Sequence, residues 1–457
     1  MRLKQANEVD LGQTSVGRLL FVLAVPAITS QVVNALYNMV DRMYIGHIPG
    51  EGAAALTGVG ICFPIIMIIS AFAYLMGMGG APRASIFMGK QDNTTAEKIL
   101  GNCFSALLMT AAGLTAVVLV FKEPLLFLFG ASENTIDYAQ QYMTIYAMGT
   151  IFVQATLGLN AFISAQGFAK ISMMTVVIGA VTNIVLDPIF IFGLHMGVRG
   201  AATATVISQA ISALWAYRFL RGRKTVLRLK REYLKPEKSI LLPCVALGIA
   251  PFVMMSTESL LTLCFNTSLL KYGGDIAVGS MTILSSVMQF SMLPMQGLTQ
   301  GGQPIISYSF GAKNMTRLKQ AVKLQTVSCF VYAAIIWLLA ELVPSVFAGI
   351  FTDDPQLVEF TTWALRIYMA TSLLMGLQIS CQQSFIAFGN AKISAFLAIF
   401  RKIIVLIPLI FLLPVFFMDK VFAVFLAEPV ADAIAVAATV TLFLREMRRM
   451  LRDDPEN

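Results

Sequence analysis

The sequence predicts an all-α polytopic membrane protein with twelve transmembrane helices in two pseudo-symmetric six-helix bundles. Composition is the first indication, because 57% of the 457 residues are hydrophobic and only 13% are charged, whereas soluble domains carry roughly 25% charged residues. The second is a series of apolar segments, each long enough to cross a hydrocarbon layer of about 30 Å as a helix. The third is an internal repeat that divides these segments into two sets of six.

The predicted spans are taken in chain order. They cover residues 18–45, 53–77, 99–121, 138–165, 171–193, 200–220, 240–270, 276–299, 320–344, 357–387, 393–416 and 421–444. The first is too long for the core of a signal peptide and lacks a small-residue cleavage pattern, so we expect it to be retained.

The basic residues predict the orientation of these spans. Most of the 33 Lys and Arg residues fall in loops and tails on one side, and only Lys122, Arg199, Lys271 and Lys420 fall in the opposite loops. By the positive-inside rule, both termini are then cytoplasmic in a multi-pass protein of the cell (plasma or inner) membrane. Orientation accounts for the net charge of +8, so we expect no nucleic-acid partner; contact of the basic linker with anionic lipid is the alternative.

The two halves of the chain share sequence motifs in the same order. QGFAKIS at 166–172 aligns with FGNAKIS at 388–394, and GGAPRASIFMG at 79–89 aligns with GGQPIISYSFG at 301–311. Each half has six spans, an even number, so both halves begin on the same side of the membrane. Parallel repeats of this kind occur in transporters that bind substrate between the halves and rock one half against the other.

The repeat predicts the domain organisation. We expect an N-lobe over residues 1–222, a basic cytoplasmic linker over 223–238, a C-lobe over 239–444 and a cytoplasmic tail over 445–457.

Asp187 is an acid followed by a proline inside an apolar span. A charged side chain at the bilayer centre costs about 2.5–3.5 kcal/mol on insertion scales, and such residues usually serve a function. Asn183 lies one turn earlier on the same helix face, and Pro188 removes a backbone donor, so we expect the helix to bend or open. A carboxylate, an amide and a free carbonyl would then meet where a proton or a small cation could bind.

Asp41 gives the first span a similar polar face, with Tyr37 one turn before it. In the second half the aligned positions are Asn266 for Asp41 and Ile407 for Asp187, so both acids are specific to the N-lobe. The alternative is that these polar residues pair with one another and only stabilise the bundle.

The second half carries acids of its own. For Glu258, a role in binding substrate or ion competes on equal terms with a structural role as a hydrogen-bond acceptor. Glu428 and Asp432 share one face of the last span, and Arg401 and Lys402 lie in the span before it. We expect these last four residues to neutralise one another.

Three motifs together resemble the multidrug and toxic compound extrusion (MATE) family, and most of all its bacterial multidrug exporters. They are YNMVDRMYIG at 37–46, TNIVLDPIFIFG at 182–193 and GVRGAATATVISQ at 197–209. The resemblance covers essentially the whole chain. It implies a V-shaped pair of six-helix lobes that exports amphipathic, often cationic, drugs in exchange for protons or Na⁺ by rocker-switch alternating access.

The resemblance also implies a set of site residues. The ion-coupling and substrate-binding site of the family's N-lobe carries over as Tyr37, Asp41, Asn160, Asn183, Asp187 and Thr203. If Na⁺ is the coupling ion, it would bind at Asp41, Asn183 and Asp187. Pro26 and Pro188 are the positions where we expect helices to bend.

A second site in the C-lobe is implied only in part. Glu258 resembles an acid that some sodium-coupled members use, but Gln378 lies near the position where those members carry a second acid. This difference weakens a C-lobe cation site and favours proton coupling in the N-lobe.

The leading hypothesis is therefore a secondary multidrug antiporter. The alternative is a flippase for lipid-linked oligosaccharides or other lipids, which would need a cationic cleft, whereas the intramembrane residues here are largely acidic. A non-transporting receptor or scaffold would not need acids in one half only. No nucleophile–base pair, phosphate loop or metal motif is visible, so we expect no enzyme activity and no metal or cofactor beyond the coupling H⁺ or Na⁺. We expect a monomer in the lipid bilayer whose substrates are small organic cations.

Overall fold

The computed structural model describes residues 10–352 and 354–452, and over these residues the chain is helical without strands. In the first half the helices are α1 (Val16–Gly46), α2 (Gly52–Gly89), α3 (Asn93–Leu128), α4 (Ile136–Met148), α5 (Thr150–Ala165), α6 (Ala169–Pro188), a π-helix (Ile189–Gly193) and α7 (Val198–Arg221). A 3₁₀ turn at Arg231–Tyr233 lies in the linker.

The second half continues the same way. Its helices are α8 (Lys238–Gly311), α9 (Met315–Leu342), α10 (Pro344–Gly349), α11 (Pro355–Tyr368), α12 (Ser372–Ala387), α13 (Ala391–Ile399), a second π-helix (Phe400–Leu406), α14 (Ile407–Phe416) and α15 (Lys420–Arg452). Residues 445–452 of the predicted tail continue α15, and residues 1–9 and 453–457 lie outside the described residues.

All twelve predicted spans are helical. Within the described residues, eight helices are long and apolar enough to cross a membrane, and the number is ten when the bent pairs α4–α5 (56°) and α11–α12 (50°) each count as one span. α8 contains two predicted spans joined at Gly274, whose φ of 65° suits a residue without a Cβ. α7 is the remaining span, and its Thr, Ser and Gln side chains make it less apolar than the others.

The apolar core shows how the two lobes meet. Leu19 at the start of α1 and Phe443 near the end of α15 belong to one buried cluster, so both chain ends lie at the same end of the bundle, which we call the terminal end. That cluster also contains Ile305 and Leu318 of the second half. In contrast, Ile45 near the end of α1 lies in a cluster of first-half residues only. The lobes are therefore joined at the terminal end and have separate cores at the opposite end, which is a V shape.

Close helix packing holds the lobes together at the terminal end. A Cβ added at Gly248 of α8 would overlap with the carbonyl of Leu75 of α2, and one added at Gly311 would overlap with the carbonyl of Ile86. Only glycine permits this approach of the two backbones. α2 therefore lies in direct backbone contact with both halves of α8.

Polar and aromatic contacts accompany this packing. Gln31 donates to Gln300 Oε1 at 3.1 Å, and Gln91 donates to the hydroxyl of Tyr308 at 3.2 Å. The Arg317 guanidinium binds the carbonyl oxygens of Leu11 and Thr14 at 2.7 and 2.5 Å, which fixes the segment before α1 to α9.

The linker between the halves is bound to the first lobe. Gln166 Oε1 accepts hydrogen bonds from Thr225 Oγ1 at 2.8 Å and from the Leu227 amide at 2.7 Å. Lys230 Nζ lies 2.5 Å from Glu97 Oε2, and this hydrogen bond raises the pKa of Lys230 above its ordinary value. Lys230 therefore stays charged throughout the neutral pH range.

Candidate functional site

Two neighbouring residues of α6 form the centre of the N-lobe site. Asn183 and Asp187 are one turn apart and both are fully buried, and Asn183 Nδ2 lies 3.3 Å from Asp187 Oδ1. The same amide lies 3.4 Å from the hydroxyl of Thr205 on α7. α6 ends at Pro188 and the backbone continues as the π-helix Ile189–Gly193. Proline removes a helix donor, and π-helical turns are common at functional sites.

α1 brings a second carboxylate to this centre. Asp41 is 9% exposed, and its carboxyl group lies within hydrogen-bonding reach of that of Asp187. The Tyr37 side chain, one turn earlier, lies near that of Gln209 on α7. α1 and the consecutive helices α6 and α7 therefore place two acids and several amide and hydroxyl groups together.

The oxygens of this cluster have too few donors. Asp41 Oδ1, Asn183 Oδ1, Asp187 Oδ2 and Gln209 Oε1 are buried and have no hydrogen-bond partner. All four are acceptors, and an unsatisfied buried acceptor costs about 1–3 kcal/mol, more when charged. On α5, Asn160 Oδ1 is likewise buried without a partner. A proton shared by the two carboxyl groups, or a small cation with oxygen ligands such as Na⁺, would satisfy such a cluster.

Other residues implied by the resemblance lie around this centre or apart from it. The Thr203 hydroxyl donates to the carbonyl of Arg199 in its own helix at 2.7 Å, while Thr205 is the threonine that contacts Asn183. Pro26 is buried within α1, which stays continuous, and its carbonyl accepts a hydrogen bond from the Ser30 hydroxyl at 2.9 Å.

Residues that the sequence reasoning missed complete the N-lobe site. Thr205 and Gln209 are four residues apart on one face of α7, and the Tyr142 side chain on α4 lies near Thr205. The i, i+4 spacing of Thr205 and Gln209 was the available signal for a polar face on α7. Tyr142 carried no such signal, because its position depends on how α4 packs against α7.

The charged residues of the C-lobe form two separate groups. Arg401 lies 3.2 Å from Glu428 Oε1 and 2.7 Å from Asp432 Oδ1, so it neutralises the acids of α15. Lys402 instead forms an ion pair with Glu258 of α8. The expectation that both cations neutralise the α15 acids is therefore met by Arg401 and not by Lys402. Two adjacent residues of a helix point in different directions, which explains the division.

Gln378 lies in a small buried amide network. Its Nε2 donates to Gln382 Oε1 at 3.3 Å, and Gln382 Nε2 lies 3.4 Å from the carbonyl of Ser394. Gln378 Oε1 has no hydrogen-bond partner.

A membrane bundle of two lobes joined at one end, with unpartnered buried acids in one of them, is typical of a secondary transporter. The family profile described as MatE matches the chain twice, over residues 26–189 and 251–412. The chain thus belongs to the MatE family, the multidrug and toxic compound extrusion transporters, and each lobe contains one copy of the family's unit.

Individual relatives agree with this family. The chain is 27% identical over 432 residues to the multidrug export protein MepA of Staphylococcus haemolyticus (strain JCSC1435), covering 94% of each chain. It is 27% identical over 425 residues to the protein of the same name in Staphylococcus aureus (strain N315), covering 92% of each.

Solved structures confirm the fold. A MATE crystal structure in the bent conformation superposes with a TM-score of 0.91 at 21% identity, covering 97% of this chain and 98% of that one. An outward-facing multidrug resistance MATE family transporter superposes with a TM-score of 0.90 at 21% identity, covering 98% and 99%. The predicted fold of twelve helices in two lobes is therefore confirmed.

Proposed function

We propose that this protein is a secondary multidrug efflux antiporter, which exports amphipathic organic cations in exchange for protons by rocker-switch alternating access. The relatives named as multidrug export proteins span more than nine-tenths of the chain, which supports the substrate class. The coupling mechanism is supported by the chemistry of the N-lobe site.

The excess of buried acceptors around Asp41 and Asp187 is the observation that carries this proposal. Two carboxyl groups within hydrogen-bonding reach of each other cannot both stay ionised without a cation or a shared proton between them. Proton binding would neutralise the pair, and proton release would leave a negative site in the N-lobe. An organic cation would be attracted to that negative site, so the two ligands would compete.

Charge in the C-lobe disfavours the flippase alternative. A lipid phosphate would need a free cation on the cleft wall, but Arg401 and Lys402 are both bound to carboxylates. Export of a cation suits a site with acids better than transfer of an anionic headgroup does.

The V shape suggests the direction of access. In this proposal the joined terminal end is the cytoplasmic end of the bundle, both termini are cytoplasmic, and the separated ends of the lobes open to the outside of the cell membrane. Proton binding in the N-lobe would favour closure of the outer end, and transport would be completed by a monomer.

Proton release on drug binding tests the proposal. Purified protein in unbuffered detergent solution would receive tetraphenylphosphonium, and a pH indicator would report released protons. We expect about one proton per bound cation for the wild type, and weaker binding as the pH is lowered. The Asp41→Asn/Asp187→Asn double variant should release none. Equal release from the double variant, or equal wild-type affinity between about pH 6 and 8, would contradict proton exchange at this site.

A further inference from the structure

Lys402 is a buried cation with oxygen ligands. It lies in the π-helix Phe400–Leu406, and its side chain is 7% exposed. Its ammonium group forms an ion pair with Glu258 and donates to the carbonyl oxygen of Met254 at 2.8 Å. Both ligands come from one turn of α8. A carboxylate oxygen and a backbone carbonyl oxygen are also the ligand types that bind small hard cations.

The neighbouring charged residues form ion pairs with one another, so Lys402 and Glu258 are paired only with each other. Arg401 already bridges Glu428 and Asp432, with N···O distances of 3.2 and 2.7 Å. With three carboxylates and two cations all ionised, the group has a net charge of −1. Removing the ammonium of Lys402 would change that charge to −2 and leave Glu258 without its partner.

The two partners are buried to different extents. The side chain of Glu258 is 64% exposed, whereas that of Lys402 is 7% exposed. The packed helices therefore cover the ammonium and leave most of the Glu258 side chain uncovered. The position beside the carboxylate is already filled by Lys402.

A polar network borders the same turn of α8. Gln382 Nε2 lies 3.8 Å from Met254 Sδ, and Gln378 donates to Gln382. Gln378 is 3% exposed and its Oε1 has no partner. Gln378 is thus connected to Met254 through Gln382, and its Oε1 is still able to accept a hydrogen bond.

We propose that Lys402 is a tethered cation that fills a cation-binding site of the C-lobe. The site consists of the Glu258 carboxylate and the Met254 carbonyl, and it would bind Na⁺ or a small alkylammonium ion if the lysine side chain were removed. In the wild-type protein the ammonium keeps alkali cations out of the C-lobe. Resting on the proposed function, this confines ion coupling to the N-lobe.

The test is the thermal unfolding of purified protein in about 100 mM NaCl, compared with choline chloride, without drug or gradient. Because a ligand that binds only the native state raises the midpoint, Lys402→Ala should gain about 2–4 °C in NaCl relative to choline chloride. Ethylammonium chloride should produce a similar rise, because it replaces the lost ammonium. The wild type and Lys392→Ala, which removes an exposed lysine, should show no such rise in either salt.

A second variant distinguishes cation binding at this site from general effects of substituting Lys402. Glu258→Gln/Lys402→Ala has no carboxylate at the site and should lose the response to Na⁺ and ethylammonium. The same response in the double variant, or no response in Lys402→Ala, would overturn the proposal. If Lys402→Ala cannot be purified, Lys402→Gln replaces it, and the same shift of the thermal midpoint is expected. The assay does not involve transport, so its failure is distinct from failure of the proposed antiport.

Discussion

At the scale of single residues, Asp187 is the carboxylate through which α6 contacts the acid of α1. Asp187→Asn keeps the volume and the contact with Asn183 but fixes the group in a neutral state. We expect drug export to fall about tenfold or more, with normal amounts of protein in the membrane. Drug accumulation in cells would report export, and Asp137→Asn, an exposed acid in the first turn of α4, is the matched control. Wild-type export by Asp187→Asn would remove the residue from the coupling site.

Thr205 offers a sharper test of the geometry. Its hydroxyl lies 3.4 Å from Asn183, whereas the hydroxyl of Thr203 bonds only to its own helix. A net hydrogen bond of about 0.5–1.5 kcal/mol predicts a two- to tenfold loss of transport rate for Thr205→Val. Thr203→Val should have a clearly smaller effect. Initial rates in proteoliposomes compare the two, and a larger loss for Thr203→Val would contradict the described site.

Sequence reasoning could predict some of these contacts and not others. Asn183 and Asp187 are four residues apart, and helix geometry alone places them together. The choice between Thr203 and Thr205 depends on the rotation of α7 against α6, which no local pattern determines. Likewise the partner of Lys402 depends on the π-helix and on the packing of α8, so sequence could indicate the charges but not their pairing.

At the scale of helices, the close packing of α2 against α8 closes the terminal end. Gly248→Ala would place a methyl group against the Leu75 carbonyl and force the helices apart. We expect transport to fall several-fold, because overpacking costs about 1–3 kcal/mol and, in the proposed rocker-switch mechanism, this contact would form in only one of the two access states. Both the transport rate and the midpoint of thermal unfolding should be measured for this variant.

Gly113→Ala is the matched control for that substitution. Gly113 lies in α3, and an added Cβ there would meet no atom within 4 Å. It should leave transport unchanged and stabilise the helix slightly. Equal transport by Gly248→Ala and Gly113→Ala would show that the α2–α8 contact is not part of the conformational change.

Helix existence was predictable because hydropathy over about twenty residues is a strong signal. Interruptions of the helices were less predictable. The breaks within α4–α5 and α11–α12 occur inside continuous apolar runs, and the first of them falls at Gly149, where α4 ends and α5 begins. Pro188 marked the end of α6 and the start of the π-helix in advance, and Gly274 lies in the short loop between two predicted spans.

At the scale of the whole molecule, two lobes with the same arrangement of helices differ in whether their acids are paired with basic residues. The N-lobe has two adjacent acids with unpartnered oxygens, and the C-lobe pairs its acids with Arg401 and Lys402. This asymmetry supports the proposal that ion coupling takes place in the N-lobe.

The most direct test is export by protein in proteoliposomes with proton and Na⁺ gradients imposed independently. We predict that protons flowing into the compartment that contains the drug drive the drug across the membrane into the opposite compartment. This transport should not require Na⁺. Asp41→Asn/Asp187→Asn should abolish this response, and Lys392→Ala should retain it. Transport driven by a Na⁺ gradient alone, or proton-driven transport that persists in the double variant, would contradict proton coupling through the N-lobe.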